Sequence, residues 1–184
     1  THRTATHEVY PSEWFFLKDL LVEGMTILDI GCAAGGFASI TGEHLVRFEY
    51  TGVDISSEMI QRAQQRYPRH QFFIVGEADL SALGTRQFDL VLCLGVLHLN
   101  RQWRQLIRAA WEHTSRTFLL DLRETHLPSI EDDGVAYFKM TPPPSEAGRQ
   151  GVLPYNIINS AEALKTLLES CSGLAKLRHY GYIG

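Results

Sequence analysis

Thr26-Ile27-Leu28-Asp29-Ile30-Gly31-Cys32-Ala33-Ala34-Gly35-Gly36-Phe37 is the stretch on which the reading of this chain turns. Ile27, Leu28 and Ile30 make a short apolar run of the kind that forms a buried strand. The run breaks into small residues and then resumes with helical spacing. Phe37, Ile40 and Leu45 fall on the inner side of the helix that follows. A strand, a glycine-rich turn and a helix start leave backbone N–H groups facing a ligand, with nothing bulky in its way.

Length and composition bound what the ligand and partners are. A chain of 184 residues is the size of one domain with its own core. The net charge is -4 and no long basic block appears, which argues against a broad nucleic-acid footprint. The basic stretches at 62–69 and 101–108 have helical spacing and read as solvated faces. Cys32, Cys93 and Cys171 lie far apart with no C-x-x-C pair, so no metal site is expected and they read as free thiols in a reducing compartment. The longest apolar run, 90–97, is far too short to cross a bilayer, and no signal peptide is visible. A cytoplasmic protein with no membrane partner is the expectation.

Taken in order, residues 1–9 are polar and read as mobile. Residues 10–21 predict an amphipathic helix with Ser12 as N-cap and Trp14, Leu17, Leu20 and Leu21 at helical spacing, either cover for one edge of the sheet or a lid over about 10–22 with Tyr10 and Trp14 facing the ligand. A second strand at 50–54 ends in Asp54, about 25 residues after Asp29, where an acid accepts hydrogen bonds from ribose hydroxyls. Ser56 or Ser57 can cap the next helix, 58–67, which leaves Asp54 free. Met59 lies in that helix's first turn, within reach of an adenine, and Pro68 stops the helix. A third strand at 71–75 runs into Gly76-Glu77-Ala78-Asp79-Leu80. Glu77 and Asp79 are both candidates to accept from an adenine amino group, and spacing does not choose between them.

The fourth strand, 88–94, is followed by Gly95-Val96-Leu97-His98-Leu99 at its carboxyl end, where open parallel sheets bind ligands. His98 is therefore the candidate to meet an acceptor substrate. A helix at 102–113 and a fifth strand at 117–122 come next, with Arg123, Glu124 and His126 at the same edge. A long insertion rich in Pro and Gly, 127–153, contains Thr141-Pro142-Pro143-Pro144 and has the length of a lid or binding loop. Ser160 caps a helix at 161–171, and 174–183 reads as a late strand with Tyr180 and Tyr182 on one face.

Strand and helix alternate, which predicts an α/β, Rossmann-like doubly wound fold: a mostly parallel sheet with helices on both faces. A dinucleotide loop wants glycine where G-x-G-x-x-G places Gly31, Ala33 and Gly36, a partial match. Acidic-x-Gly-x-Gly/Ala-x-Gly is met at every place by Asp29, Gly31, Ala33 and Gly35. A carboxylate at position 29 suits a ligand bearing an ammonium group and opposes a pyrophosphate. VDIS at 53–56 matches a ribose motif, and FDLVLCLGVLHL at 88–99 matches a fourth-strand motif. On these residues the chain resembles the class I S-adenosylmethionine-dependent methyltransferases of small-molecule type, over roughly 10–182.

The resemblance implies one methyltransferase-like domain over 1–184 with bound S-adenosylmethionine. It implies cofactor contacts from Asp29, Gly31, Cys32, Ala33, Gly35, Asp54, Ile55, Met59, Glu77, Ala78, Asp79 and Leu94. His98 is the first choice as catalytic base, with His126 and Glu124 behind it. Of the hairpin that closes this family's sheet, the first strand alone is expected here. The Asn/Asp-Pro-Pro-Tyr/Phe motif of DNA and protein amide methyltransferases does not follow the fourth strand. A small-molecule or saccharide-type acceptor is therefore expected, not nucleic acid. The alternatives are a nicotinamide-dependent oxidoreductase and a methyltransferase-like binding module without turnover.

Overall fold

Ile27 and Leu28 leave their strand in opposite directions, and each enters a separate apolar layer. The computed structural model describes residues 3–131, 137–140 and 151–181, with 137–140 and 151–154 described by their backbone. The strand they share, β1 (Thr26–Ile30), is the middle of five. β2 (Glu49–Asp54) and β3 (Gln71–Ile74) lie to one side. β4 (Phe88–Cys93) and β5 (Thr114–Leu120) lie to the other. The order is β3-β2-β1-β4-β5 and every pairing is parallel.

Strands buried on both faces read as apolar runs, and the two layers show why. One layer gathers Ile27, Tyr50, Phe72, Leu90 and Leu92 under α1 (Pro11–Leu17), α2 (Gly36–Gly42) and α3 (Ser57–Arg66). The other gathers Leu28, Ile30, Val53, Val91 and Cys93 under α4 (Trp103–Glu112) and α5 (Ser160–Ser170). Trp103, Leu106, Ile107 and Ala110 form the inner stripe of α4. Each fully buried Leu or Ile contributes about 1.5–3 kcal/mol by leaving water. Because the strands are parallel, their carboxyl ends meet at one edge, and the connections after β1, β2, β3, β4 and β5 all open there.

Several expectations are corrected. The N-terminal residues are docked rather than loose: Thr6–Glu8 form a 3-10 turn and Val9 is buried. The guanidinium of Arg3 pairs with Glu13, a carboxylate itself buried in the fold. The first helix starts at Pro11 with Tyr10 before it, because proline at the first helical position gives up an N–H that has no partner anyway; it ends at Leu17, short of Leu21. Within the insertion, β7 (Tyr137–Met140) pairs antiparallel with β8 (Gly151–Pro154), and β6 (Glu124–Thr125) pairs parallel with β9 (Ile158–Asn159). Thr141-Pro142-Pro143-Pro144 lie outside the described residues. Asn159, not Ser160, caps the last helix, accepting from the Ala161 N–H at 3.0 Å. Residues 174–181 join no ladder among the described residues; Tyr180 instead stacks on Phe15 at 5.5 Å, and Tyr182 lies outside the described residues.

Candidate cofactor and acceptor site

The turn after β1 is tied down by its own backbone. The N–H groups of Gly31 and Cys32 both donate to the Val53 carbonyl, at 2.8 and 3.0 Å, and that of Gly35 donates to Cys32 at 2.8 Å. Gly31 has φ +75°, and a Cβ there would come within 2.2 Å of Val96 Cγ2. Ala33 also takes a positive φ, 47°, and its N–H donates to Asp54 Oδ2 at 2.9 Å. Asp54 Oδ1 accepts from the Ser56 N–H at 2.8 Å. Asp54 is thus not the free carboxylate expected from the sequence, since both oxygens hold backbone. Ser56 does cap α3, accepting from the Met59 N–H at 3.3 Å. A carboxylate offers about four lone-pair sites, so Asp54 keeps acceptor capacity for a hydroxylated ligand.

A cavity of about 140 Å³ opens beside this turn, with Asp29, Gly31, Cys32, Ala33, Gly36 and Leu94 in its wall. Asp29 is 3% exposed and accepts a hydrogen bond from the Tyr50 hydroxyl. Burial pushes its carboxyl up to about 7; the Tyr50 phenol opposes this and Asp54 adds to it. No ion pair neutralises Asp29 among the described residues. Burial, then Asp29 and Asp54, hold the Cys32 thiol far above its ordinary range, so it is an inert small side chain. Its Sγ stands 2.7 Å from where a Cβ on Gly52 would be, which is reason enough for a small residue on both strands. The Tyr67 hydroxyl is buried with no hydrogen-bond partner among the described residues.

Arg3, Thr4 and Arg66 complete the wall. The residues that cover the cavity are therefore Arg3 and Thr4, in place of the expected Tyr10 and Trp14. Trp14 packs on His44 at 4.8 Å, and Tyr10 lies under the Arg3 guanidinium at 4.9 Å. Ligand sites commonly span ~300–1,000 Å³, so this cavity is smaller than a whole ligand site. The other expected cofactor residues lie outside its wall. Gly35 precedes α2 with φ +78°. Ile55 is exposed and Met59 half-buried. Glu77 and Ala78 are half-buried, and the Glu77 carbonyl accepts from Asn100 Nδ2 at 2.6 Å. Asp79 is committed to its own turn, accepting from the Ser81 N–H at 2.9 Å.

His98 lies three residues beyond Gly95, which also lines the cavity. It sits in a 3-10 turn, Leu97–Leu99, is 8% exposed, and meets the Tyr155 ring edge-on at 5.3 Å. Its Nδ1 is buried with no hydrogen-bond partner among the described residues. Burial, helped by Arg123 and opposed by Asp121, lowers its pKa, so the imidazole is neutral at neutral pH. The backbone around it is fixed by Asn156, whose N–H donates to the His98 carbonyl at 2.7 Å. Asp121 Oδ1 accepts from the Gly95 N–H at 2.6 Å. Glu124 instead pairs with His179 at 3.2 Å, and His126 is exposed.

Sequence reasoning missed Arg3, Tyr50, Tyr67, Asp121 and Tyr155. Tyr50 left a signal: a tyrosine in a buried strand needs a partner for its hydroxyl. Arg3 left none, because its place depends on a fold it does not help to form.

Residues 28–117 match the model of a family described as a methyltransferase domain. This segment, just under half of the chain, is similar to methyltransferase domains. The fatty-acid O-methyltransferase of Mycolicibacterium smegmatis is 33% identical over 79 residues, 42% of this chain and 29% of that protein. The ribosomal protein L11 methyltransferase of Thermotoga petrophila is 30% identical over 90 residues, 48% of this chain and 34% of that one. The chain spans between 4% and 34% of the length of the curated relatives it matches. The N-terminal domain of EvdMO1, solved with SAH bound, shares the fold with a TM-score of 0.63 at 16% identity, over 86% of this chain and 69% of that chain. No helix among the described residues is long and apolar enough to cross a membrane.

Proposed function

We propose that this domain transfers a methyl group from S-adenosylmethionine to a small-molecule or saccharide-type acceptor held at the carboxyl ends of β4 and β5, with His98 as general base. The residues fit the cofactor. Asp29 is a buried carboxylate that accepts from a phenol and makes no ion pair among the described residues, the nearby Arg3 being paired with Glu13, which suits an ammonium group. The gap at Gly31 admits backbone contact and no side chain. When bound, the cofactor supplies a methyl group on a sulfonium, already an excellent leaving group. What the chain must do is align, dry and deprotonate.

Asp29 and the backbone carbonyls of the 31–35 turn border the amino-acid end; the N–H groups of Gly31, Cys32, Ala33 and Gly35, expected to face the ligand, are instead spent on Val53, Asp54 and Cys32. Asp54 holds the ribose; Ile55, Met59, Glu77, Ala78 and Asp79 border the adenine, and Leu94 closes the wall. The acceptor half rests on the buried, unpartnered Nδ1 of His98: an acceptor hydroxyl or amine is the group that atom lacks. Tyr155, Asp121 and Arg123 nearby offer polar contacts to a hydroxylated molecule. Two comparisons support a small acceptor: one relative is a fatty-acid O-methyltransferase, and EvdMO1 was also solved in the presence of SAH and D-fucose.

Methyl transfer into fractionated small-molecule extract, with His98→Ala beside wild type, tests the reading. Loss of about 10²-fold or more in kcat, with S-adenosylhomocysteine affinity unchanged, is the expected result. Full turnover by His98→Ala removes the base. Tight cofactor binding without transfer to any fraction makes the protein a binding module.

A further inference from the structure

The methyl-transfer reading leaves Tyr50 without a task, yet Tyr50 is 2% exposed and donates its hydroxyl hydrogen to Asp29 Oδ2. Phe72 at 5.9 Å and His70 at 5.5 Å hold the ring in place. The groups that act on Asp29 come from every element around it: Tyr50 and Asp54 from β2, Cys32 from the turn, Cys93 from β4, Arg3 from the N-terminal segment and Glu13 from α1. Arg3 is the cation among them, and it is paired with Glu13. Tyr67, with its buried and unpartnered hydroxyl, acts on Tyr50 in turn. Arg66, from α3, also lines the cavity, and neither its guanidinium nor that of Arg3 forms an ion pair with Asp29 among the described residues, so an ionised Asp29 lacks a paired cation until an ammonium group enters.

We propose that Tyr50 is a positioning residue for the cofactor: its phenol occupies Oδ2 of Asp29 and leaves Oδ1 to the ammonium group, so that binding of the amino-acid end is coupled to loss of a proton from Asp29. This rests on reading Asp29 as the partner of that end. The balance is simple. A protonated carboxyl and an ammonium ligand become a carboxylate–ammonium pair, and the proton goes to solvent. Burial holds the Asp29 carboxyl near 7, so part of the ligand-free protein carries this proton at neutral pH. The Tyr50 hydrogen bond favours the ionised form, and removing it moves the titration to higher pH.

Calorimetric titration decides the matter, with S-adenosylhomocysteine and with 5′-methylthioadenosine, which lacks the amino-acid arm, between about pH 6 and pH 8.5 in buffers of different ionisation enthalpy. For wild type, S-adenosylhomocysteine affinity rises with pH and levels off above about 7, with a proton released below that point, while methylthioadenosine binding stays flat. Tyr50→Phe moves the rise to higher pH and weakens S-adenosylhomocysteine about tenfold at pH 7, leaving methylthioadenosine within about twofold. Asp29→Asn gives a flat profile and no proton release, which keeps the test open if Tyr50→Phe folds poorly. A Tyr50→Phe profile identical to wild type, or equal weakening of both ligands, overturns the inference, as does a flat wild-type profile with both ligands bound. Wild type binding neither ligand overturns the methyl-transfer reading and this inference with it.

Discussion

Ala33 holds a left-handed backbone, φ 47°, at a place where glycine is the easy choice. The Cβ makes this conformation cost about 1–2 kcal/mol. The Ala33 N–H to Asp54 Oδ2 bond, charge-assisted, offsets part of it and fixes the turn against β2. Ala33→Gly should therefore raise stability by up to about 1 kcal/mol, the relief of strain slightly exceeding the added freedom of the unfolded chain. Urea unfolding at constant pH checks it; a loss above about 1 kcal/mol would mean that the methyl packs in a way the strain argument ignores. Asp54 serves the same turn. The residue that reads from sequence as a ribose acceptor holds two backbone N–H groups, so its removal disturbs the turn itself.

Among the elements, the N-terminal segment departs most from expectation. Polar residues without periodicity read as loose, yet Arg3 meets Glu13, and Thr6 meets Glu43 and His44. These are contacts across α1 and α2 that exist once the sheet has brought those helices together. The seat for the segment is Gly36: a Cβ there would fall 1.8 Å from the Arg3 carbonyl oxygen, a backbone atom that cannot step aside. Gly36→Ala should lift the segment and leave the sheet intact. Hydrogen exchange should then speed up at residues 4–9, while β1 and β4 keep their protection. Unchanged exchange at 4–9 would show that the segment is not held there.

At the scale of the molecule, the buried carboxyl of Asp29 links the site to the stability of the fold. Its pKa stands near 7 in the folded protein, against the usual carboxylate value of 3.8. The folded state therefore binds more protons over this range. The resulting stabilisation is complete below about pH 4 and is lost as pH rises through about 7, by at most about 4 kcal/mol. Urea midpoints of ligand-free wild type should fall from pH 5 to pH 8, and Asp29→Asn should flatten that slope; equal slopes would place the carboxyl's titration elsewhere. The apolar run at Ile27, Leu28 and Ile30, the glycines after them and the repeat of strand and helix are local patterns, so they determined by themselves the doubly wound parallel fold and the order of its elements along the chain. A continuous apolar run and a period-3.6 stripe need nothing distant. The tertiary structure alone decided what meets at the carboxyl edge of the sheet: Tyr50 on Asp29, Arg3 over Gly36, Asp54 on the turn, Tyr155 against His98. Those contacts join residues far apart in the chain, and their geometry follows from strand register and helix packing, which no local pattern encodes.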